Sequence, residues 1–122
     1  MKRSLLALIL CLSPSLALSM PKGDEVALLH VISVVKESNA TFIRNGKKHS
    51  AKDAAKHLQR KLNASKDTVK SAEEFIDNVG SLSLRTGNPY KISLSEESEM
   101  LAAPWLHQEL ERFRSAERNG KR

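Results

Sequence analysis

The sequence predicts an α+β fold in which a small antiparallel sheet of two short hairpins packs with about four helices. Asn45-Gly46 lies between two short extended runs and favours a type I′ turn, which needs positive φ at both central positions. A second alternating pattern surrounds the turn residues at 86–89. Apolar residues at helical spacing occupy the remaining segments. Because an isolated hairpin is marginally stable, we expect the two hairpins to pair through residues 41–44 and 90–94.

The N-terminus has the pattern of a secretory signal peptide. Residues 1–3 (MKR) are cationic, and the apolar run at 5–12 is too short to span a bilayer. Small residues at Ala17 and Ser19 predict cleavage before Met20. Cleavage of residues 1–19 removes Cys11, the only cysteine of the chain, so we expect a secreted, cysteine-free mature protein without a transmembrane segment.

The first predicted helix follows Asp24, which can accept a hydrogen bond from its first turn. Apolar residues cover most of its circumference and leave one polar stripe of His30, Ser33 and Glu37. We therefore expect this helix to be central and largely buried. It should end near Glu37, just before the first hairpin.

The turn at Asn45-Gly46 fixes the register of the first hairpin. The predicted pairs are Arg44 with Lys47, Ile43 with Lys48 and Phe42 with His49. Ser50 and Asp53 resemble a capping box and predict a second helix over residues 51–62. Its apolar residues share one narrow sector, which suggests close packing on another element. They are Ala51, Ala54, Ala55, Leu58 and Leu62.

The second half of the chain repeats this alternation of helix and hairpin. Ser71 and Glu74 form a capping box for a short helix that Gly80 ends. Residues 81–85 and 90–94 are the predicted strands of the second hairpin, and 95–99 a polar loop. Pro104 suits the first turn of a last helix. The prediction is a single domain over 20–114 followed by a basic, disordered tail over 115–122.

Several motifs occur in a fixed order along the chain: FIRNG at 42–46, SAEEFID at 71–77 and TGNPYKI at 86–92. In these motifs the chain resembles the YfeK-like family of small exported proteins of Gram-negative bacteria. The likeness covers residues 26–113. It implies a periplasmic location and a domain of unknown function with no assigned activity.

One departure from the family pattern bears on the sheet. Many members carry a cysteine just before the Phe-x-Arg-Asn-Gly strand and another just after the Pro-Tyr strand. This chain has Ala40 and the stretch near Leu94 at those places. A bridge between such cysteines would make the two hairpins neighbours, in agreement with the predicted sheet. Their absence here argues against a redox role and removes one covalent link.

The chain is basic, with a formal net charge of +6, so the predicted partners are an anionic envelope component or an acidic protein. The tail is either a solvated end or a further attraction to anionic polymers or lipid. Export, 4% aromatic residues and the lack of a nucleic-acid motif argue against nucleic acid. The candidate binding residues are Arg44, Asn45, His49, His57, Lys61 and Tyr90.

The alternative function is a small hydrolase or a metal-binding protein that uses His49, Asp53 and His57. Asp53 and His57 lie one helical turn apart, and His49 precedes Asp53 by four residues. Either the three side chains meet as metal ligands, or His49 packs inward while Asp53 and His57 are solvated. No nucleophile motif or phosphate loop is present, so the prediction favours a non-catalytic binding or accessory protein without a cofactor.

Overall fold

The computed structural model describes residues 19–96 and 98–120 of the 122-residue chain. The predicted signal peptide lies, apart from Ser19, outside the described residues. The elements are α1 (Lys22–Glu37), β1 (Thr41–Arg44), β2 (Lys47–Ser50), α2 (Ala51–Ser65), α3 (Ala72–Phe75), a π-helical turn (Ile76–Gly80), β3 (Lys91–Ser95), β4 (Ser98–Leu101) and α4 (Ala102–Gly120). This arrangement confirms the α+β fold.

The four strands form one antiparallel sheet in the order β2-β1-β3-β4. The first hairpin has the predicted register, with Phe42 opposite His49. Asn45 and Gly46 adopt φ values of 50° and 80°, as a type I′ turn requires. On its other side β1 pairs with β3, and Thr41 lies opposite Ser93. The predicted contact between the two hairpins is therefore confirmed.

The second hairpin has a different partner strand from the predicted one. Residues 81–85 make only one bridge, between Leu82 and Pro89. Their backbone closes a tight turn instead, in which the Ser83 carbonyl accepts from the Gly87 amide at 2.7 Å. The return strand of β3 is β4, in the segment predicted as a polar loop. An edge strand exposed to water does not need the apolar alternation on which the prediction depended.

The predicted serine caps of α2 and α3 are confirmed, whereas α2 and α4 end further along the chain than predicted, at Ser65 and Gly120. The Ser50 hydroxyl accepts from the Asp53 amide at 3.1 Å, and the Ser71 hydroxyl accepts from the Glu74 amide at 3.0 Å. All five residues of the predicted apolar stripe of α2 are buried. The last helix continues to Gly120, so the predicted disordered tail is helical over 115–120, and 121–122 lie outside the described residues.

Asp24 has another role than the predicted cap of its own helix. Its helix α1 begins two residues earlier, after Pro21. The Asp24 carboxylate accepts from the Ala72 amide at 2.9 Å, at the start of α3, and lies 3.3 Å from the guanidinium of Arg114. Arg114 also pairs with Glu73. These contacts tie α1, α3 and α4 together.

The core lies between the helices and one face of the sheet. Phe42 and Ile92 are buried on this face, and Phe42 meets Trp105 of α4 edge to face, with ring centroids 6.5 Å apart. The opposite face borders solvent with Ile43, Lys48 and neighbouring polar residues. In the described ranges, no helix combines the length and apolar character needed to cross a bilayer.

Candidate functional site

Three basic side chains surround Tyr90, which is buried just before β3, and a fourth is connected to them through Arg44. The Lys61 ammonium lies 4.6 Å from the centre of the Tyr90 ring, and the Arg44 guanidinium carbon lies 5.8 Å from it. The Tyr90 hydroxyl is 3.4 Å from Nε2 of His57. His49 joins through Arg44, whose Nη2 is 3.0 Å from its Nδ1. We call these five residues the Tyr90 cluster.

The periods of strand and helix bring the Tyr90 cluster together. Arg44 follows Phe42 by two residues, and His49 lies opposite Phe42, so both side chains share the core face of the hairpin. His57 and Lys61 are four residues apart, and therefore lie one turn apart on α2. Pairing of β3 with β1 then places Tyr90 beside Arg44.

Lys61 serves the structure of the loop after α3. Its ammonium donates to the carbonyls of Val79 at 2.5 Å and Leu82 at 2.7 Å, and to the Tyr90 hydroxyl at 3.2 Å. An ammonium has three protons, so all of them are used. Burial, followed by the charge of Arg44, lowers the pKa of Lys61 to about 8. Lys61 remains charged at neutral pH and bridges the π-helical turn to Leu82.

Both histidines of the Tyr90 cluster are neutral near pH 7. Arginine has only donors, so Nδ1 of His49 must accept from Arg44 and carry no proton. Burial and then the Arg44 charge lower the pKa of His49. Lys61 donates to the Tyr90 hydroxyl, whose own proton is then free to donate to Nε2 of His57. Burial, Arg44 and Lys61 lower the pKa of His57 to about 4.

The low pKa of His57 predicts a specific loss of stability in acid. In the unfolded chain the pKa returns to about 6.5, so between pH 6.5 and 4 the unfolded state binds more protons than the folded state. The free energy of unfolding should therefore fall as the pH drops through this window. Urea titrations at several pH values measure this fall. A His57→Gln variant should show a shallower fall, and equal slopes for both proteins would contradict the assignment.

The guanidinium of Arg44 is not fully used by the protein. Its Nε is buried and has no hydrogen-bond partner within the described part of the chain. A cavity of about 10 Å³, bordered by Phe42, His57 and Tyr90, lies beside it and has room for one water molecule. Arg44, His49 and His57 are themselves half-buried. A larger group must therefore approach them from the solvent side.

Asn45 and Asp53 do not join the Tyr90 cluster. The Asn45 side-chain oxygen accepts from the Thr86 hydroxyl at 2.9 Å and from the side-chain amide of Asn88 at 3.4 Å. These two bonds connect the hairpin turn to the turn at 86–89. Asp53 is exposed. In residues 19–96 and 98–120, no three His, Cys, Asp or Glu side chains lie close enough to hold a metal ion. His49, Asp53 and His57 are thus not assembled as ligands.

Comparison with known proteins gives a family without a known activity. Residues 23–114 match a family described as a family of unknown function, DUF5329. The chain belongs to this family. It is also 34% identical over 89 residues to the uncharacterized protein YfeK of Salmonella typhimurium, a match that covers 67% of this chain and 74% of that protein. No solved structure matches significantly. The resemblance to the YfeK-like family is therefore confirmed.

Proposed function

We propose that this member of the DUF5329 family is a non-catalytic binding protein of the bacterial cell envelope that holds an anionic group at the Tyr90 cluster. The observation that carries the proposal is that two cations, Arg44 and Lys61, lie beside the same Tyr90 ring and that neither has an acidic partner. Among the described residues, no ion pair neutralises either cation. A carboxylate or phosphate group beside them would relieve the repulsion between two like charges.

The location is part of the same proposal. It is supported by the signal-peptide pattern of residues 1–19 and by the periplasmic location that the resemblance to the YfeK-like family implies. Export would place the domain among phosphorylated and carboxylated polymers. An acidic side chain of a protein partner offers the same chemistry.

The histidines give the proposed site a measurable response. An anion bound beside His57 favours the imidazolium, so binding should raise the pKa of His57 from about 4. Arg44 would supply the strongest contacts, because its planar fork can donate two parallel hydrogen bonds to one carboxylate or phosphate. Lys61 contributes charge and remains bonded to its carbonyls.

We expect Arg44→Gln to weaken binding of inorganic phosphate about tenfold or more, because a hydrogen bond to a charged group is lost. Calorimetric titration of residues 20–122 measures the affinity. Lys48→Gln is the matched control, since this substitution removes the same charge from the opposite face of the same hairpin. Its affinity should remain within twofold of the wild type. Equal weakening by both variants, or no heat with the wild type, would overturn the proposal.

A further inference from the structure

A second basic surface lies on the exposed side of α2. Lys52, Lys56 and Arg60 follow one another at intervals of four residues and are all exposed. We call these three residues, together with Lys36 of α1, the α2 basic face. We propose that the α2 basic face docks on the surface of a membrane that contains anionic phospholipid.

The helical period makes this surface one continuous strip. Residues four apart are rotated by about 40°, so Lys52, Lys56 and Arg60 lie within one sector, outside the buried stripe of α2. The strip is about 12 Å long. Lys36 borders the same shallow groove of about 200 Å³, whose floor is Ile32 and Ala55. The groove is too shallow to enclose a ligand, whereas the lysines along its rim can contact a broad anionic surface.

The distribution of ion pairs selects this strip over the basic C-terminal helix. Arg114 pairs with Asp24 and Glu73, and Arg118 pairs with Glu111 at 2.9 Å. Within the described residues, Arg114 and Arg118 of the C-terminal helix thus have acidic partners in the protein. By contrast, no ion pair of the described residues involves any member of the α2 basic face.

Nearby acids reduce the positive potential of the strip without cancelling it. Glu37 follows Lys36 in the chain, and Asp53 follows Lys52. Both carboxylates are exposed, and neither lies within ion-pair distance of the α2 basic face. Four cations against two acids leave a net positive surface that attracts anions over about one Debye length.

The composition of the strip favours lipid phosphates over other anions. Three of the four residues are lysines, whose flexible stems carry point charges that can follow mobile headgroups. A glycan or single-stranded nucleic acid would call for aromatic rings on which sugars or bases stack, and the residues that line the groove include none. The charges are also spread along the helix, so they do not converge on a single bound anion.

The proposal is tested with the double variant Lys52→Glu/Lys56→Glu. Sedimentation with vesicles of phosphatidylglycerol and phosphatidylcholine should show binding by residues 20–122 that weakens at high salt. Each basic residue near an anionic surface contributes about fivefold to binding, so the variant should bind at least about 25-fold more weakly. Vesicles of phosphatidylcholine alone should bind neither protein.

The matched control is Lys70→Glu/Arg85→Glu, which makes the same change of net charge at exposed residues of other segments. It should bind anionic vesicles within a few-fold of the wild type. Unchanged thermal unfolding of both double variants shows that each is folded. Equal loss in both variants, binding by Lys52→Glu/Lys56→Glu at the wild-type level, or binding only to a soluble acidic polysaccharide would overturn the proposal.

This inference does not depend on the Tyr90 cluster. The two proposals are tested with different ligands: inorganic phosphate tests the Tyr90 cluster, and anionic vesicles with the variants of Lys52 and Lys56 test the α2 basic face. If the protein binds anionic vesicles but gives no heat with inorganic phosphate, only the anion site at the Tyr90 cluster is contradicted. A phosphate response without vesicle binding would contradict the membrane surface alone.

Discussion

Replacing Lys61 by methionine should lower the free energy of unfolding by about 2–3 kcal/mol, although methionine keeps much of the side-chain volume. The Lys61 ammonium donates to the carbonyls of Val79 and Leu82 at 2.5 and 2.7 Å. Without the ammonium, two carbonyls in a partly buried region lose their hydrogen-bond donor. Leaving a buried acceptor unsatisfied costs more free energy of folding than a typical hydrogen bond contributes. Urea unfolding at pH 7 measures the difference.

Lys56→Met is the matched control for this variant. Lys56 lies on the same helix, is exposed and belongs to no ion pair of the described residues, so its replacement should change stability by less than about 0.5 kcal/mol. A loss in Lys61→Met no larger than that of the control would show that the carbonyls are satisfied without the ammonium.

The pH dependence of stability provides a second test of Lys61. Its pKa is about 8 in the folded protein and returns to about 10.5 on unfolding. Between these values the unfolded state binds more protons, so the stability of the wild type should rise with pH across this window. Lys61→Met should lack this rise. An identical rise in both proteins would assign it to another group.

The parts of the fold that the sequence predicts are those governed by local chemistry. Asn45-Gly46 needs positive φ, which only a few residues adopt, so the turn and the register of its strands follow directly. The caps at Ser50 and Ser71 likewise depend on residues within three positions. Strand β4 has no such signal. It pairs with β3, which directly precedes it, through backbone hydrogen bonds that need no apolar pattern.

The candidate site was predictable as a set of residues, but the sequence does not reveal how they divide their roles. Strand alternation and helical spacing indicate that Arg44, His49 and His57 share a region. The hydrogen bonds of Lys61 to two carbonyls depend on the π-helical turn and the loop after it. No residue pattern predicts the conformation of these two segments. Asn45 is one of the predicted binding residues, yet its side chain bonds to the turn at 86–89.

The pairing of β1 with β3 predicts that a disulfide can join Ala40→Cys and Leu94→Cys. Thr41 lies opposite Ser93, so continuing the antiparallel register by one residue places Ala40 opposite Leu94. Opposite residues of such a ladder have Cα atoms about 4.5–5.5 Å apart, within the range that a disulfide spans. The oxidised double variant should therefore form the bridge in high yield.

The bridge should raise the free energy of unfolding by about 4 kcal/mol, because it closes a loop of about 55 residues in the unfolded chain. The reduced form of the same variant is the reference, since it carries the same side-chain changes. Ala40→Cys/Ser95→Cys is the matched control, because Ser95 lies one residue beyond the position that the register places opposite Ala40. Free thiols in the first variant, or equal bridging in both, would show that β1 and β3 pair in another register.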